Sequence, residues 1–310
     1  MNEMKATAEA LPSTLVAEKS RAAVFADLIK ARLTMLVLLT TYVGFYIGWH
    51  GAMDFVLMFH ALAGTALVAA GASALNQLLE RDYDAKMRRT QDRPLPSGRL
   101  QPVTAMIFGG VSATAGLIYL ALAVNLITSV IGAVTFVSYL FIYTPLKRVT
   151  WLNTAIGAVP GAMPPLMGWT AARGELSGEG WALFAILAFW QMPHFFAIAW
   201  IYRDEYAKAG FKMLPVVDPD GRRTGQQALS YTLALLVVSL SPFVFKMTGP
   251  VYLAAAVVLG AGYLGCAIQF SRQIHFASAE PARARARRLF LASIIYLPLL
   301  LAAMVWDKVR

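Results

Sequence analysis

Charge is scarce in this chain, and cysteine is nearly absent. Only 14% of the 310 residues are Asp, Glu, Lys or Arg, where a soluble domain usually carries about 25%. That shortage excludes an ordinary soluble surface. The single cysteine, Cys266, excludes an intrachain disulfide and any multi-cysteine metal site. The N-terminal stretch, residues 1–29, lacks the Arg-rich, acid-poor character of a mitochondrial presequence, because it holds Glu3, Glu9, Glu18 and Asp27. It also lacks the early apolar run of a cleaved secretory signal. A bacterial cytoplasmic (inner) membrane is the expected location, with residues 1–29 as a cytoplasmic segment and 30–310 as one transmembrane domain.

What the chain does have is apolar sequence. It is 58% hydrophobic, with a mean hydropathy of +0.58, and its charges sit between long apolar runs. The expected fold class is therefore all-α, a polytopic membrane protein. Nine transmembrane helices are predicted, over roughly 30–48, 54–79, 102–122, 125–143, 152–170, 180–201, 227–246, 249–270 and 288–306. Each is near the ~20 residues needed to cross ~30 Å of hydrocarbon. With the N-terminus inside, only Arg173, Lys246, Lys308 and Arg310 of the 27 Lys and Arg fall outside. The reverse orientation would invert this bias. The run ARARARR, 282–288, has no interleaved acids and fits contact with anionic lipid.

The inner ends of these helices hold the unusual chemistry. Residues 76–100 read NQLLERDYDAKMRRTQDRPLPSGRL. Asn76, Glu80 and Asp84 lie at i, i+4 and i+8, so their oxygens drift only ~40° per step and share one helix face. Stacked oxygen donors suit Mg²⁺, whereas zinc would want His or Cys. Asp82 points away and should pair with a nearby Arg. A second cluster closes the sixth helix, where Asp204 and Glu205 are followed by Lys208 and Lys212. A third closes the fourth helix with Tyr143, Lys147 and Arg148; Pro145 should break the helix there. Lys147 is suited to a diphosphate, although positive-inside anchoring accounts for it equally well. Ordinary solvated charge or surface ion pairs would also account for the acids taken singly. Acids at both helix ends together suggest two Mg²⁺ ions bridged by a diphosphate.

Three stretches carry a resemblance: residues 76–100 as quoted, YTPLKRVTWLNTAIGAVPGAMPPLMGW at 143–169, and WQMPHFFAIAWIYRDEYAKAGFKMLPVV at 190–217. They resemble the UbiA superfamily of intramembrane prenyltransferases, and within it the haem-farnesylating branch. The superfamily's first motif is usually Asn-x3-Asp-x3-Asp; here Glu80 takes the middle place, the form expected of that branch. The second motif, Asp-x3-Asp, is not intact, because Tyr206 and Lys208 follow Asp204 and Glu205.

The resemblance implies a UbiA-type bundle around a central cavity, and transfer of a farnesyl group from farnesyl diphosphate to a vinyl group of haem b, with water completing haem O. It implies Mg²⁺ on Asn76, Glu80, Asp84, Asp204 and Glu205, the catalytic set. Diphosphate would be held by Arg89, Arg93, Tyr143, Lys147 and Lys208, and the haem substrate would meet Trp190, Gln191 and His194. His194 could equally hydrogen-bond a neighbouring helix. The implied partners are the lipid bilayer and a haem-A-forming or terminal-oxidase assembly protein, with no nucleic acid. PGAMPP, 160–165, should interrupt the fifth helix. Two other functions fit less well. A related enzyme acting on a quinone precursor such as 4-hydroxybenzoate would share the diphosphate site. A transporter would place its acids nearer the midplane.

Overall fold

A computed structural model describes residues 19–273 and 279–309. Most of the N-terminal segment, including Glu3, Glu9 and Glu18, lies outside the described residues. The described chain is helical, and its only β-type pairing is an isolated bridge between Thr248 and Lys308. A short helix α1 (Arg21–Leu28) leads into α2 (Ala31–Gly48), α3 (Phe55–Asp84), α4 (Pro102–Ala123), α5 (Leu126–Leu146), α6 (Asn153–Arg173) and α7 (Gly178–Ile201). After α7 come the short α8 (Arg203–Lys208) and α9 (Leu214–Val217), then α10 (Arg222–Val238), α11 (Ser241–Val244), α12 (Pro250–Gln273) and α13 (Ala279–Trp306).

All nine expected spans are present. Helix α3 runs five residues past its predicted end, so Asn76, Glu80 and Asp84 are all helical. Helix α13 begins at Ala279, so the ARARARR stretch forms its first turns and is not a loop. Among the described residues eight helices are long and apolar enough to cross a membrane, and of the nine expected spans α6 is the exception. The reason lies in its surroundings. Most of α6 is buried, and it packs against α2, α7 and α5. A helix wrapped by protein does not need a lipid-compatible exterior.

The prolines of α6 also depart from expectation. PGAMPP does not interrupt the helix, which runs continuously through Pro160, Pro164 and Pro165. Proline frees carbonyls in a helix, and a buried position among neighbouring helices tolerates that better than lipid does. Small residues then let α2 and α6 meet backbone to backbone. A Cβ at Gly168 would collide with the Thr41 carbonyl, and one at Gly44 with that of Pro165.

Helix α5 carries a local irregularity of functional interest. Its Ser138–Tyr143 stretch is wound as a π-helix, and only then does the chain turn through Thr144–Leu146. The helix therefore passes Pro145 and ends one residue later. Lys147, just past that end, is mostly buried and points inward. Such π turns recur at functional sites because they re-aim side chains.

Candidate active site

A cavity of about 410 Å³ lies among α2, α3, α5, α6, α7 and α13. Its charged end is built by Lys30, Glu80, Asp84, Arg89, Arg93 and Lys147. Towards α2, α3 and α5 the wall is largely apolar, with Leu33, Val37, Val68, Ala69 and Phe136. Towards α6, α7 and α13 it carries Trp190, Gln191, His194 and Phe195 beside Gly157, Gly161 and Pro164.

Two ion pairs dominate the charged end. Lys147 Nζ lies 2.6 Å from Glu80 Oε1, with their side chains 16% and 7% exposed. Arg93 Nη1 lies 2.6 Å from Asp84 Oδ2, and the Asp84 side chain is only 1% exposed. The Lys147 ammonium also sits 4.5 Å from the centroid of the Tyr143 ring. Burial alone would lower the Lys147 pKa; the Glu80 carboxylate, with Tyr143 and Tyr139, outweighs burial and raises it. The loop after α3 is pinned by Thr90 Oγ1, which donates to the Asp84 carbonyl at 2.8 Å. That contact brings Arg93 back over the helix end it follows.

Lys30 is a member that sequence reasoning missed. It separates α1 from α2 in a left-handed conformation, φ +50°. Its ammonium donates to Asn76 Oδ1 at 2.7 Å and reaches the Tyr139 hydroxyl at 3.4 Å. Burial first, then the Arg93 and Lys147 charges, push its pKa down to about 7, against the pull of Glu80 and Asp84. The sequence offered only a lysine at the edge of an apolar run, which reads as a positive-inside anchor. Nothing in its spacing told of the left-handed turn that re-aims it.

Asn76 is completely buried and lies behind the cavity wall. Its oxygen accepts from Lys30, and its amide donates to Thr144 Oγ1 at 3.1 Å. In this arrangement it clamps α2, α3 and α5 together. Next to it, Gln77 donates to the carbonyls of Asp27 and Leu28, tying α1 to α3.

The second cluster differs from expectation. Asp204 is exposed and 3.7 Å from Arg203 Nε, a surface pair. Lys208 is also exposed, and neither residue lines the cavity. Glu205 accepts from the backbone N–H of Arg89 at 3.3 Å, outside the cavity lining. The physical reason is the break at Tyr202, which ends α7 and starts a separate turn of helix. The acids therefore do not continue the inward face of α7. Instead Tyr206 lines the cavity, and its hydroxyl accepts from Arg89 Nη2 at 3.2 Å. Among the described residues, no three of His, Cys, Asp and Glu converge as a ready metal-binding group. The five-ligand set inferred from the resemblance is thus not assembled here; Glu80 and Asp84 alone bring carboxylates to the cavity. Asp82 behaves as expected, pairing with Arg81 at 3.0 Å.

The α7 residues do reach the cavity. Trp190 Nε1 donates to the Ser293 carbonyl at 2.9 Å, and Gln191 Nε2 donates to the Leu187 carbonyl at 3.1 Å. His194 Nδ1 is 2.7 Å from Ser293 Oγ. Pro193 sits inside α7 without interrupting it.

Known proteins share this architecture. Digeranylgeranylglyceryl phosphate synthase superposes with a TM-score of 0.77 at 16% identity, covering 92% of this chain and 98% of that one. A UbiA homologue from Archaeoglobus fulgidus bound to GPP and Mg²⁺ superposes with a TM-score of 0.61 at 16% identity, over 91% of this chain and 99% of the other. At such identities these likenesses concern the fold. In sequence, the chain is 45% identical to the protoheme IX farnesyltransferase of Solibacter usitatus, over 92% of this chain and 98% of the relative. It is 44% identical to that of Koribacter versatilis, over 92% and 93%. The profile of the UbiA prenyltransferase family matches residues 37–294. This multi-pass helical chain belongs to the UbiA prenyltransferase family.

Proposed function

We infer that the chain is a protohaem IX farnesyltransferase, which joins farnesyl diphosphate to haem b and water to give haem O and diphosphate. In the reaction the allylic C1–O bond of farnesyl diphosphate breaks with its electrons leaving on oxygen. A new bond forms between C1 and the terminal vinyl carbon of the haem. Water then adds its oxygen to the inner vinyl carbon and releases a proton. The observation that carries the reading is the polarity of the cavity. One end holds two buried carboxylates, each already paired with a cation, and the remainder is apolar and aromatic.

Each group of residues has a part. Lys30, Lys147 and Arg93, with Arg89 at the rim, supply the fixed positive charge that a departing diphosphate needs. The wall of Leu33, Val37, Val68, Ala69 and Phe136 suits an isoprenoid chain. Trp190, Gln191 and His194 form the opposite wall, where a porphyrin would sit. Aromatic faces at Tyr143, Trp190 and Phe195 shield an allylic cation from premature water.

The carboxylates of Glu80 and Asp84 fit Mg²⁺ by donor type: hard oxygens one helical turn apart, facing the cavity. Bound Mg²⁺ would act as a Lewis acid that neutralises the diphosphate. Asn76 would join them only by giving up Lys30, and Glu205 is the acid of α8 nearer the cavity. A second ion would draw its ligands from the diphosphate and water more than from α8. The inward N-terminus and a bacterial inner-membrane setting are supported by the Lys and Arg bias, and delivery of haem O to a haem-A-forming partner follows from the product.

The test uses the purified chain in lipid nanodiscs with haem b, farnesyl diphosphate and Mg²⁺. Mass spectrometry should find haem O, and EDTA should stop its formation. If haem is unchanged while 4-hydroxybenzoate is prenylated, the acceptor assignment is wrong.

A further inference from the structure

The C-terminal helix α13 carries none of the motif residues, yet it closes around His194. The imidazole packs against three rings: Trp190 at 4.9 Å and 24°, Phe290 at 5.0 Å and 34°, and its neighbour Phe195 at 5.6 Å and 61°. Ser293, one helical turn after Phe290, is fully buried and bonds His194 Nδ1 at 2.7 Å. The Ser293 hydroxyl also donates to the Phe290 carbonyl at 2.5 Å. Trp190 is fastened to the same residue through the Ser293 carbonyl.

Proton accounting then fixes the histidine. A serine hydroxyl has one hydrogen and two acceptor lone pairs. With that hydrogen on the Phe290 carbonyl, the oxygen accepts from His194. In this arrangement Nδ1 carries the proton and Nε2 presents a lone pair. Among the described residues no hydrogen bond is made at Nε2, and His194 lines the cavity. Lone pairs repel carboxylates, so Nε2 does not suit a haem propionate. It suits an electron-pair acceptor, and a neutral imidazole whose other nitrogen donates to a fixed oxygen is the usual form of a metal-ligating histidine.

We infer that Ser293 and Phe290 hold His194 as the Nδ1–H tautomer, so that Nε2 ligates the iron of the haem substrate. Ser293 is then a positioning residue, and the iron bond fixes how the vinyl edge of the porphyrin meets the prenyl carbon. This inference rests on the farnesyltransferase reading for the identity of the acceptor.

Two measurements test it. In the ligand-free protein in nanodiscs, ¹⁵N-histidine NMR should find His194 protonated at Nδ1; protonation at Nε2 overturns the inference without any variant. With haem b bound, resonance Raman of the ferrous form should find an iron–imidazole bond. That bond should vanish in His194→Ala and return on adding imidazole. Ser293→Ala should weaken haem binding by about tenfold or more and shift the iron–imidazole band, by the general sensitivity of metal sites to outer-shell partners. Ser293→Thr should restore both. An unchanged iron spectrum in His194→Ala overturns the inference. If the wild type makes haem O without an iron–imidazole bond, the ligand assignment fails and the enzyme reading stands. If it ligates haem but makes no haem O, the reverse holds.

Discussion

Removing Lys147 tests whether the charged end is preassembled by pairing. The Lys147–Glu80 contact is 2.6 Å long, and both side chains are well under one-third exposed, so solvent screening does little to weaken it. Losing one partner of a buried pair costs about 3–5 kcal/mol, because the other charge stays buried and unpaired. Lys147→Met and Glu80→Gln should each destabilise the protein by about that amount. At 2–4 °C per kcal/mol for chains somewhat smaller than this one, the loss corresponds to roughly 5–10 °C or more in melting temperature. The double variant leaves neither charge stranded. It should recover much of the loss, giving a coupling of about 2–3 kcal/mol. Thermal melts of all four proteins in the same nanodiscs read this directly. Turnover should behave differently: near zero in both single variants and still near zero in the double, because on the proposed function the diphosphate would lose a cation and Mg²⁺ a carboxylate. Simple additivity of the melting shifts would refute a buried, coupled pair. Recovery of turnover in the double variant would refute the functional reading of both residues.

The other predictions follow from the same geometry. Asp84→Ala should abolish haem O formation while the protein still inserts and purifies as a monodisperse species; near-normal turnover would remove Asp84 from the site. Asp204→Ala should stay within about threefold of wild-type turnover, because its side chain is 88% exposed and points at Arg203, and surface changes of this kind stay within about 0.5 kcal/mol. A loss of a hundredfold there would mean that α8 swings its acids inward when substrate binds. Gly168→Val should leave little folded protein, since its side chain would meet the backbone of α2; yield and size-exclusion profile report this.

How much of this was legible in the sequence differs by element. Eight of the nine expected spans were, because bilayer thickness imposes one length on every crossing helix, and the ninth, α6, is helical without the apolar exterior. The spacing of Asn76, Glu80 and Asp84 was also legible, because a helix converts spacing into direction without help from the rest of the chain. Positions set by chain breaks were not. Lys30 enters the cavity only through a left-handed turn, and Lys147 only after a π-wound stretch; neither leaves a periodic mark. The outward position of Asp204 has the same origin: α7 stops at Tyr202, and the sequence does not tell which way the separate turn after it faces. PGAMPP was misread for a different reason. Proline's cost depends on what surrounds the freed carbonyls, and the sequence does not tell that α6 is the most enclosed helix of the set.

The pairing at the charged end suggests how such a site can exist before substrate arrives. Bare Glu80 and Asp84 so deeply buried would each carry a desolvation penalty of several kcal/mol. Lys147 and Arg93 offset that penalty in the ligand-free protein. A diphosphate with Mg²⁺ presents both a cation for the carboxylates and an anion for Lys147 and Arg93. The four side chains can then exchange partners without any charge being left alone in the low-dielectric interior. On the proposed function, the same groups that stabilise the ligand-free fold would then become the ligand's partners. That is why Lys147 and Glu80 are expected to couple in stability yet to be individually indispensable in turnover.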